Sequence, residues 1–227
     1  MMIEIAHLNK EYKGKKVVND LSFSVAENEA FALLGSNGAG KSTTIKMILG
    51  LVKPTGGKVV KTDNKAIGYS PESPSFPSFL SGGEVLTYYA KLQNIPREEI
   101  NHTVERLVRM VGLDIDKTKV KFYSKGMLQR LALAQALLGD PEILLLDEPC
   151  AGLDAMGRIE MIELLKRLKK QGKTIIINSH ILSDIEKVCD RGVILNKGMV
   201  LRNWSQEDIR ENYTLEEIFT ETLGGAV

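Results

Sequence analysis

The sequence predicts an α/β fold built on a parallel sheet, and three observations carry that expectation. Two runs, Ile143-Leu144-Leu145-Leu146 and Thr174-Ile175-Ile176-Ile177, are apolar without alternation, as strands covered on both faces require. A third apolar run, Ala30 to Leu34, ends in the loop Gly35-Ser36-Asn37-Gly38-Ala39-Gly40-Lys41-Ser42, which passes into a helix-like run from Thr43 to Leu49. Strands that alternate with helices in this way call for parallel pairing.

Taken in order, the chain begins with strands. Ile3 and Ile5, then Leu21, Phe23 and Val25, alternate on either side of a turn at Lys13-Gly14-Lys15. The glycine loop and its helix run to Gly50, and the turn Pro54-Thr55-Gly56-Gly57 leads to two short strands, 58–60 and 66–69. From Ser70 to Phe79 three prolines break any helical period, which reads as a loop bearing Phe76 and Phe79. Helical signals then dominate: Val85, Leu86, Tyr89 and Leu92 form one stripe, and Ile100, Val104, Leu107, Val108 and Val111 another, so that 73–122 reads as an inserted helical subdomain. The α/β pattern resumes at Ser124 with helices at about 127–138 and 159–170, each followed by one of the two apolar runs. A helix carrying Leu182, Ile185 and Val188 and strands at 193–195 and 199–201 complete the core, and 205–227 is a charged, weakly amphipathic tail. The expected organisation is a single domain over 1–227, with 1–72 and 123–204 as the core and the tail at 205–227.

Composition narrows the function. The 30 Lys and Arg nearly balance the 29 Asp and Glu, giving +1, so the basic footprint of a nucleic-acid binder is missing. Cys150 and Cys189 lie beside apolar runs and read as small buried hydrophobes of a reducing compartment. The start of the chain has neither a basic nor an apolar signal region, and no uncharged apolar run reaches the roughly 18 residues of a membrane helix. The expectation is a cytoplasmic protein that reaches a membrane only through a partner.

The glycine loop fits the P-loop spacing: a glycine, four free positions, then Gly-Lys-Ser. Glycines let successive N–H groups of residues 35–43 turn inward as an anion nest, and the following helix aims its positive end at the same point. Lys41 supplies a cation for β- and γ-phosphates, and Ser42 a hydroxyl for Mg2+. Asp147 and Glu148 end one buried run, where ligands of open α/β sheets bind. Side by side on a strand end they face different ways, so Asp147 suits Mg2+ and Glu148 suits the attacking water. His180 ends the next buried run, a position that favours a γ-phosphate contact.

With these motifs in order, residues 3–203 resemble the nucleotide-binding subunit of ATP-binding cassette (ABC) transporters. The resemblance implies a P-loop NTPase (RecA-like) core with an N-terminal antiparallel β-subdomain and an inserted α-helical subdomain. Gly35 to Thr43 matches the Walker A motif, and Ile143 to Pro149 matches Walker B with its catalytic glutamate. Tyr123-Ser124-Lys125-Gly126-Met127-Leu128-Gln129-Arg130 is similar to the signature segment, Ala151-Gly152-Leu153-Asp154 to the D-loop, and His180 to the switch histidine. Tyr12 lies where the family places an aromatic to stack on adenine, a reading favoured over that of a half-buried strand-end tyrosine.

Three departures from the family pattern matter. Glu72 stands where glutamine is usual, Tyr123-Ser124-Lys125-Gly126-Met127 replaces Leu-Ser-Gly-Gly-Gln, and Ala151 replaces serine. The first two resemble the stand-alone cassettes of drug, antibiotic and polysaccharide exporters. A carboxylate at Glu72 can still coordinate Mg2+, and Ser124 and Gly126 are kept. Leu80-Ser81-Gly82-Gly83-Glu84 looks more like the usual signature but lies too far upstream, and Ser81-x-x-Glu84 reads as a capping box. Ser124 can cap a helix whose N-terminus is a second anion site; by the resemblance it closes over ATP held by another subunit's P-loop, in a two-fold dimer of this chain with itself or a paralogue.

The resemblance further implies an ATPase that drives transport, as an exporter, through a separate integral-membrane permease on the inner face of the cell membrane. The loop around Phe76 and Phe79 either docks that permease or folds back on the helical subdomain. A soluble cassette ATPase of translation or DNA repair is disfavoured by the single cassette, the lack of heptads and the neutral charge. A small P-loop kinase would need neither a signature helix nor His180.

Overall fold

The structure, a computed structural model, describes residues 1–62, 65–114, 117–210 and 214–224. In chain order its strands are β1 (Ile3–Tyr12), β2 (Lys15–Val25), β3 (Ala30–Gly35), β4 (Gly56–Lys61), β5 (Ile67–Ser70), β6 (Ile143–Asp147), β7 (Thr174–Asn178), β8 (Arg191–Asn196) and β9 (Met199–Ser205). The helices are α1 (Lys41–Ile48), α2 (Gly82–Leu92), α3 (Arg97–Met110), α4 (Lys125–Ala136), α5 (Ala155–Lys170), α6 (Leu182–Val188), α7 (Gln206–Arg210) and α8 (Leu215–Gly224). The fold is a mixed α/β P-loop architecture with antiparallel and parallel sheets. Two compact units divide it: residues 1–65 with 174–227, and residues 66–173.

The first unit holds an antiparallel sheet in the order β2-β1-β4. Ile3 opposes Val25 and Ile5 opposes Phe23, so the alternation seen in the sequence puts Ile3, Ile5, Leu8, Leu21 and Val25 inside. The alternation breaks at bulges between Ile5 and Lys10, where His7 and Asp20 take positive φ and the His7 Nδ1 meets Asp20 Oδ1 at 2.7 Å. The second sheet of this unit runs β7-β3-β8-β9. Strand β3 is parallel to both neighbours, with Ala32 opposite Ile177 and Gly35 opposite Leu195. Every residue of β7 is buried, as is β3 from Ala30 to Leu34, which explains their unbroken apolar runs.

The charged tail is more structured than its composition suggests. Helix α8 packs on α6 and β8, and its Leu215 and Ile218 are fully buried. Residues 211–213 and 225–227 of the expected tail lie outside the described residues.

In the second unit β5 and β6 pair in parallel, Ser70 opposite Leu146, and every residue of β6 is buried. Helix α4 lies against β5, and α2 and α3 pack on each other and on α4. The stripes read from the sequence supply that core: Val85, Leu86, Ile100, Val104, Leu107, Val108 and Val111 are buried, whereas Leu92, the last residue of α2, is exposed. Ser81 and Glu84 form the capping box: Ser81 Oγ accepts from the Glu84 N–H, and Glu84 Oε2 accepts from the Ser81 N–H at 2.7 Å. With Lys119 3.0 Å away as well, the Glu84 carboxyl is lowered to about 2, the Ser81 N–H being the largest cause.

Candidate nucleotide and signature sites

The glycine loop turns out of β3 into α1 in the first unit. Gly35 has φ +152°, and a Cβ there would lie 2.4 Å from Leu195 O; Gly40 has φ +101°, with Val17 O 2.8 Å from a Cβ. Both positions therefore require glycine, since a side chain would clash as well as strain the backbone. Gly40 caps α1 with no side-chain bond of its own. Ser36, Asn37 and Gly38 are exposed on the crest, and Ala39 and Gly40 are buried beneath. Lys41 Nζ donates to Gly35 O at 2.7 Å and to Ser36 O at 3.1 Å, which places the ammonium over the loop.

From below, the β8–β9 turn braces the loop. The Gly198 N–H donates to Ala39 O at 3.0 Å, and Gly198 O accepts from the Asn19 N–H at 2.9 Å. Val17 joins Asn37 to Thr43 in lining a hollow of about 180 Å3. A glycine loop that leads into a helix N-terminus, with one ammonium over it, suits a polyphosphate chain.

His180 belongs to the same unit. Because β3 and β7 are adjacent and parallel, the loop after Gly35 and the segment Asn178-Ser179-His180 leave the sheet at one edge. His180 is exposed, and beside it Ser179 Oγ accepts from the Ile181 N–H at 3.1 Å. Tyr12 lies at the end of β1, half exposed, with Lys10 Nζ 4.9 Å from its ring centroid. The residues lining the hollow do not include it.

The second unit gathers the acidic residues. Strands β5 and β6 are parallel, so Glu72, two residues past Ser70, and Asp147, next to Leu146, project beyond the same edge. Their proximity is visible at Tyr69, whose phenol is raised by burial and then by the Asp147 and Glu72 carboxylates. Asp147 and Glu148 are both buried, at 7% exposure each, and Glu72 is exposed. Glu148 has φ +52°, an uncommon backbone for a residue with a side chain. Carboxylates are the hard oxygen donors that Mg2+ takes, so the Asp147 and Glu72 pair of this unit fits that ion chemically.

Ser124 caps α4, its Oγ accepting from the Met127 N–H at 3.2 Å, and Gly126 follows in the first turn. The segment 123–127 thus opens the helix that precedes β6, as its place in the chain requires. Next to it is the segment 151–154: a Cβ on Gly152 would meet Lys125 Cδ at 2.4 Å, and one on Gly126 would meet Leu153 Cδ2 at 3.1 Å. Asp154 caps α5, its Oδ1 accepting from the Gly157 N–H at 2.7 Å.

The two loop phenylalanines part company. Phe76 stacks edge-on against Tyr89 with 6.3 Å between centroids, while Phe79 is 71% exposed. Phe76, Tyr89, Gln93 and Gln135 are among the residues lining a groove of about 570 Å3.

Several residues at these sites are not apparent from motif spacing. Val17 in β2 and Gly198 in the β8–β9 turn shape the phosphate loop from distant parts of the chain. Gln129 Nε2 donates to Glu148 O at 2.9 Å, and Arg130 donates to Val111 O at 2.6 Å and to Glu160 at 2.8 Å. A hint for Gln129 is its amide within the apolar stretch that runs to Leu138. Among the described residues no group of His, Cys, Asp and Glu of metal-binding size occurs, and no helix is long and apolar enough to cross a membrane.

A glycine loop at the end of one parallel strand, a buried Asp-Glu pair at the end of another and a serine-capped helix are features of an ATPase of the P-loop class. The family profile described as ABC transporter matches residues 18–151, and the chain belongs to that family, as an ATP-binding subunit that hydrolyses ATP. An uncharacterized ABC transporter ATP-binding protein of Nostoc sp. is 40% identical over 226 residues, covering 92% of this chain and 68% of the relative. The Nod factor export ATP-binding protein I of Rhizobium johnstonii is 39% identical over 207 residues, with 86% and 67% covered. A dimeric structure of the ATP-binding cassette MJ0796 in a post-hydrolysis state, bound to ADP and Pi, superposes with a TM-score of 0.83 at 25% identity over 90% of this chain and 99% of that one. The chain spans between 57% and 73% of the length of the first four curated relatives.

Proposed function

We propose that this chain energises export through a separate membrane permease, and that it works as an ATP-bound dimer with a second copy or a paralogous cassette. The observation that carries the dimer is the capped N-terminus of α4: Ser124 and Gly126 present a second anion site on a chain that already has its own phosphate loop. The dimeric cassette with ADP and Pi supports that reading, and the Nod factor export relative supports export.

Residues 35–43 hold the phosphates, with Lys41 on the β- and γ-groups, and Tyr12 stacks on adenine. Ser42, Asp147 and Glu72 would hold Mg2+, whose charge would offset that of the phosphates. Glu148 takes a proton from water as its oxygen bonds to the γ-phosphorus; the bond from that phosphorus to the bridging oxygen breaks, and the electron pair leaves with ADP. His180 and Glu72 sense the γ-phosphate, Ser124 and Gly126 contact the partner cassette's ATP, and Asp154 fixes the D-loop by capping α5. The whole forms one cassette domain in which 73–122 is the helical subdomain.

The groove beside Phe76 and Tyr89 receives the permease, and exposed Phe79 extends the docking surface. The cassette thus sits on the cytoplasmic face of the membrane without nucleic acid. Affinity capture of the tagged chain from detergent-solubilised membranes tests this. A polytopic membrane protein retained in stoichiometric amount is expected; ribosomes or DNA in its place would overturn the proposal.

A further inference from the structure

Gln129 is a buried polar residue in α4, whose other buried residues are Leu131, Leu133 and three alanines, and it is 1% exposed. Its Nε2 donates to the Glu148 carbonyl at 2.9 Å. A carbonyl only accepts, so the amide nitrogen must face it. The Oε1 on the other side has no hydrogen-bond partner among the described residues. A half-satisfied amide is a costly occupant for a packed site, and methionine would fill the same volume without that penalty.

What the amide holds is unusual in turn. Glu148 is left-handed, at φ +52°, and Pro149 follows it. Proline has no N–H, so the peptide after Glu148 has its carbonyl as its only polar handle. That oxygen accepts twice: from the Ala151 N–H at 3.0 Å, which closes the turn locally, and from Gln129. The second bond spans 19 residues and comes from the helix that Ser124 opens.

We infer that Gln129 is a positioning residue for ATP hydrolysis. It clamps the Glu148 peptide in its strained conformation, which aims the carboxylate, and it makes that aim depend on the placement of the signature helix. A shift of α4 as Ser124 engages the partner cassette's nucleotide is thereby passed to this chain's own Glu148. The inference rests on the proposed roles of Glu148 and Ser124.

The test compares Gln129→Met and Gln129→Glu with the wild-type chain in steady-state ATP hydrolysis, with Glu148→Gln as the control. Gln129→Met is expected to lower kcat by roughly 10- to 100-fold, the scale of a misplaced catalytic group, with KM for ATP changed less than about twofold and ATP-driven dimerisation retained. In Gln129→Glu the ionised carboxylate repels the carbonyl, whereas the protonated acid can donate to it. Its kcat relative to wild type is therefore expected to rise as pH falls. Wild-type kcat in Gln129→Met overturns the inference, as does a loss in both variants that follows their melting temperatures and ignores pH. Turnover surviving in Glu148→Gln would instead remove the underlying assignment of the base.

Discussion

The Tyr123 hydroxyl accepts a hydrogen bond from the Gly82 N–H at 3.2 Å, which ties the residue that opens the signature segment to the first turn of α2. Leucine, usual at this signature position in the family, could not make that bond. The relationship also explains why glycine stands at position 82: a Cβ there would lie 2.5 Å from the Tyr123 hydroxyl. The two similar stretches, 80–84 and 123–127, are thus structural partners.

Tyr123→Phe leaves the Gly82 amide without this acceptor and should cost about 1 kcal/mol of stability. Gly82→Ala should cost more, because its methyl displaces the phenol. Urea unfolding of the single and double variants measures both, and a coupling energy near zero would refute the tether.

Lys41→Ala removes the ammonium that now bridges Gly35 O and Ser36 O. Losing one charge-assisted bond to phosphate corresponds to about 1.5–3 kcal/mol, or roughly 10- to 150-fold weaker ATP binding. Titration with a fluorescent ATP analogue should show this while circular dichroism stays unchanged.

Glu148→Gln retains shape and hydrogen bonding but cannot take a proton. Turnover should fall by about 10²- to 10⁴-fold, and an ATP-bound dimer should accumulate in gel filtration. Undiminished phosphate release would exclude Glu148 as the base.

Acid should weaken the start of α2 through Glu84. Its folded value, about 2, lies below the ordinary 4.5, so the carboxylate's contribution is complete above about 4.5 and is lost as pH falls toward 2. In Glu84→Gln that part of the pH dependence should disappear, which melting curves between these limits would detect. An unchanged profile would count against the capping box.

Much of this architecture was legible in the sequence because its signals are contiguous. The phosphate loop, the buried runs ending in Asp147-Glu148 and His180, and the Ser81-Glu84 box each reside in one short stretch, and each forms as that stretch predicts. Pairings across the chain leave no such trace. Gln129 on Glu148, Tyr123 on Gly82 and Gly198 under Ala39 are set by tertiary packing, so spacing alone could not reveal them. The bulges at His7 and Asp20 interrupted an alternation that otherwise marks β1 and β2. In α8 two buried residues were masked by a charged neighbourhood. For Phe76 and Phe79 the sequence offered docking or folding back as alternatives, and the structure gives Phe76 to Tyr89 and leaves Phe79 exposed.

Helix α8 gives this last segment a reach beyond its own residues. Glu186 of α6 accepts the Leu215 N–H through its carboxylate at 3.2 Å and the Gln206 amide through its backbone carbonyl at 2.7 Å, so that α6, which begins two residues after His180, is clasped from its far end. Helix α6 is therefore held by both α7, through Gln206, and α8, through Leu215. The stretch that composition marks as a charged, weakly amphipathic tail is thus tied by hydrogen bonds to the helix that follows His180.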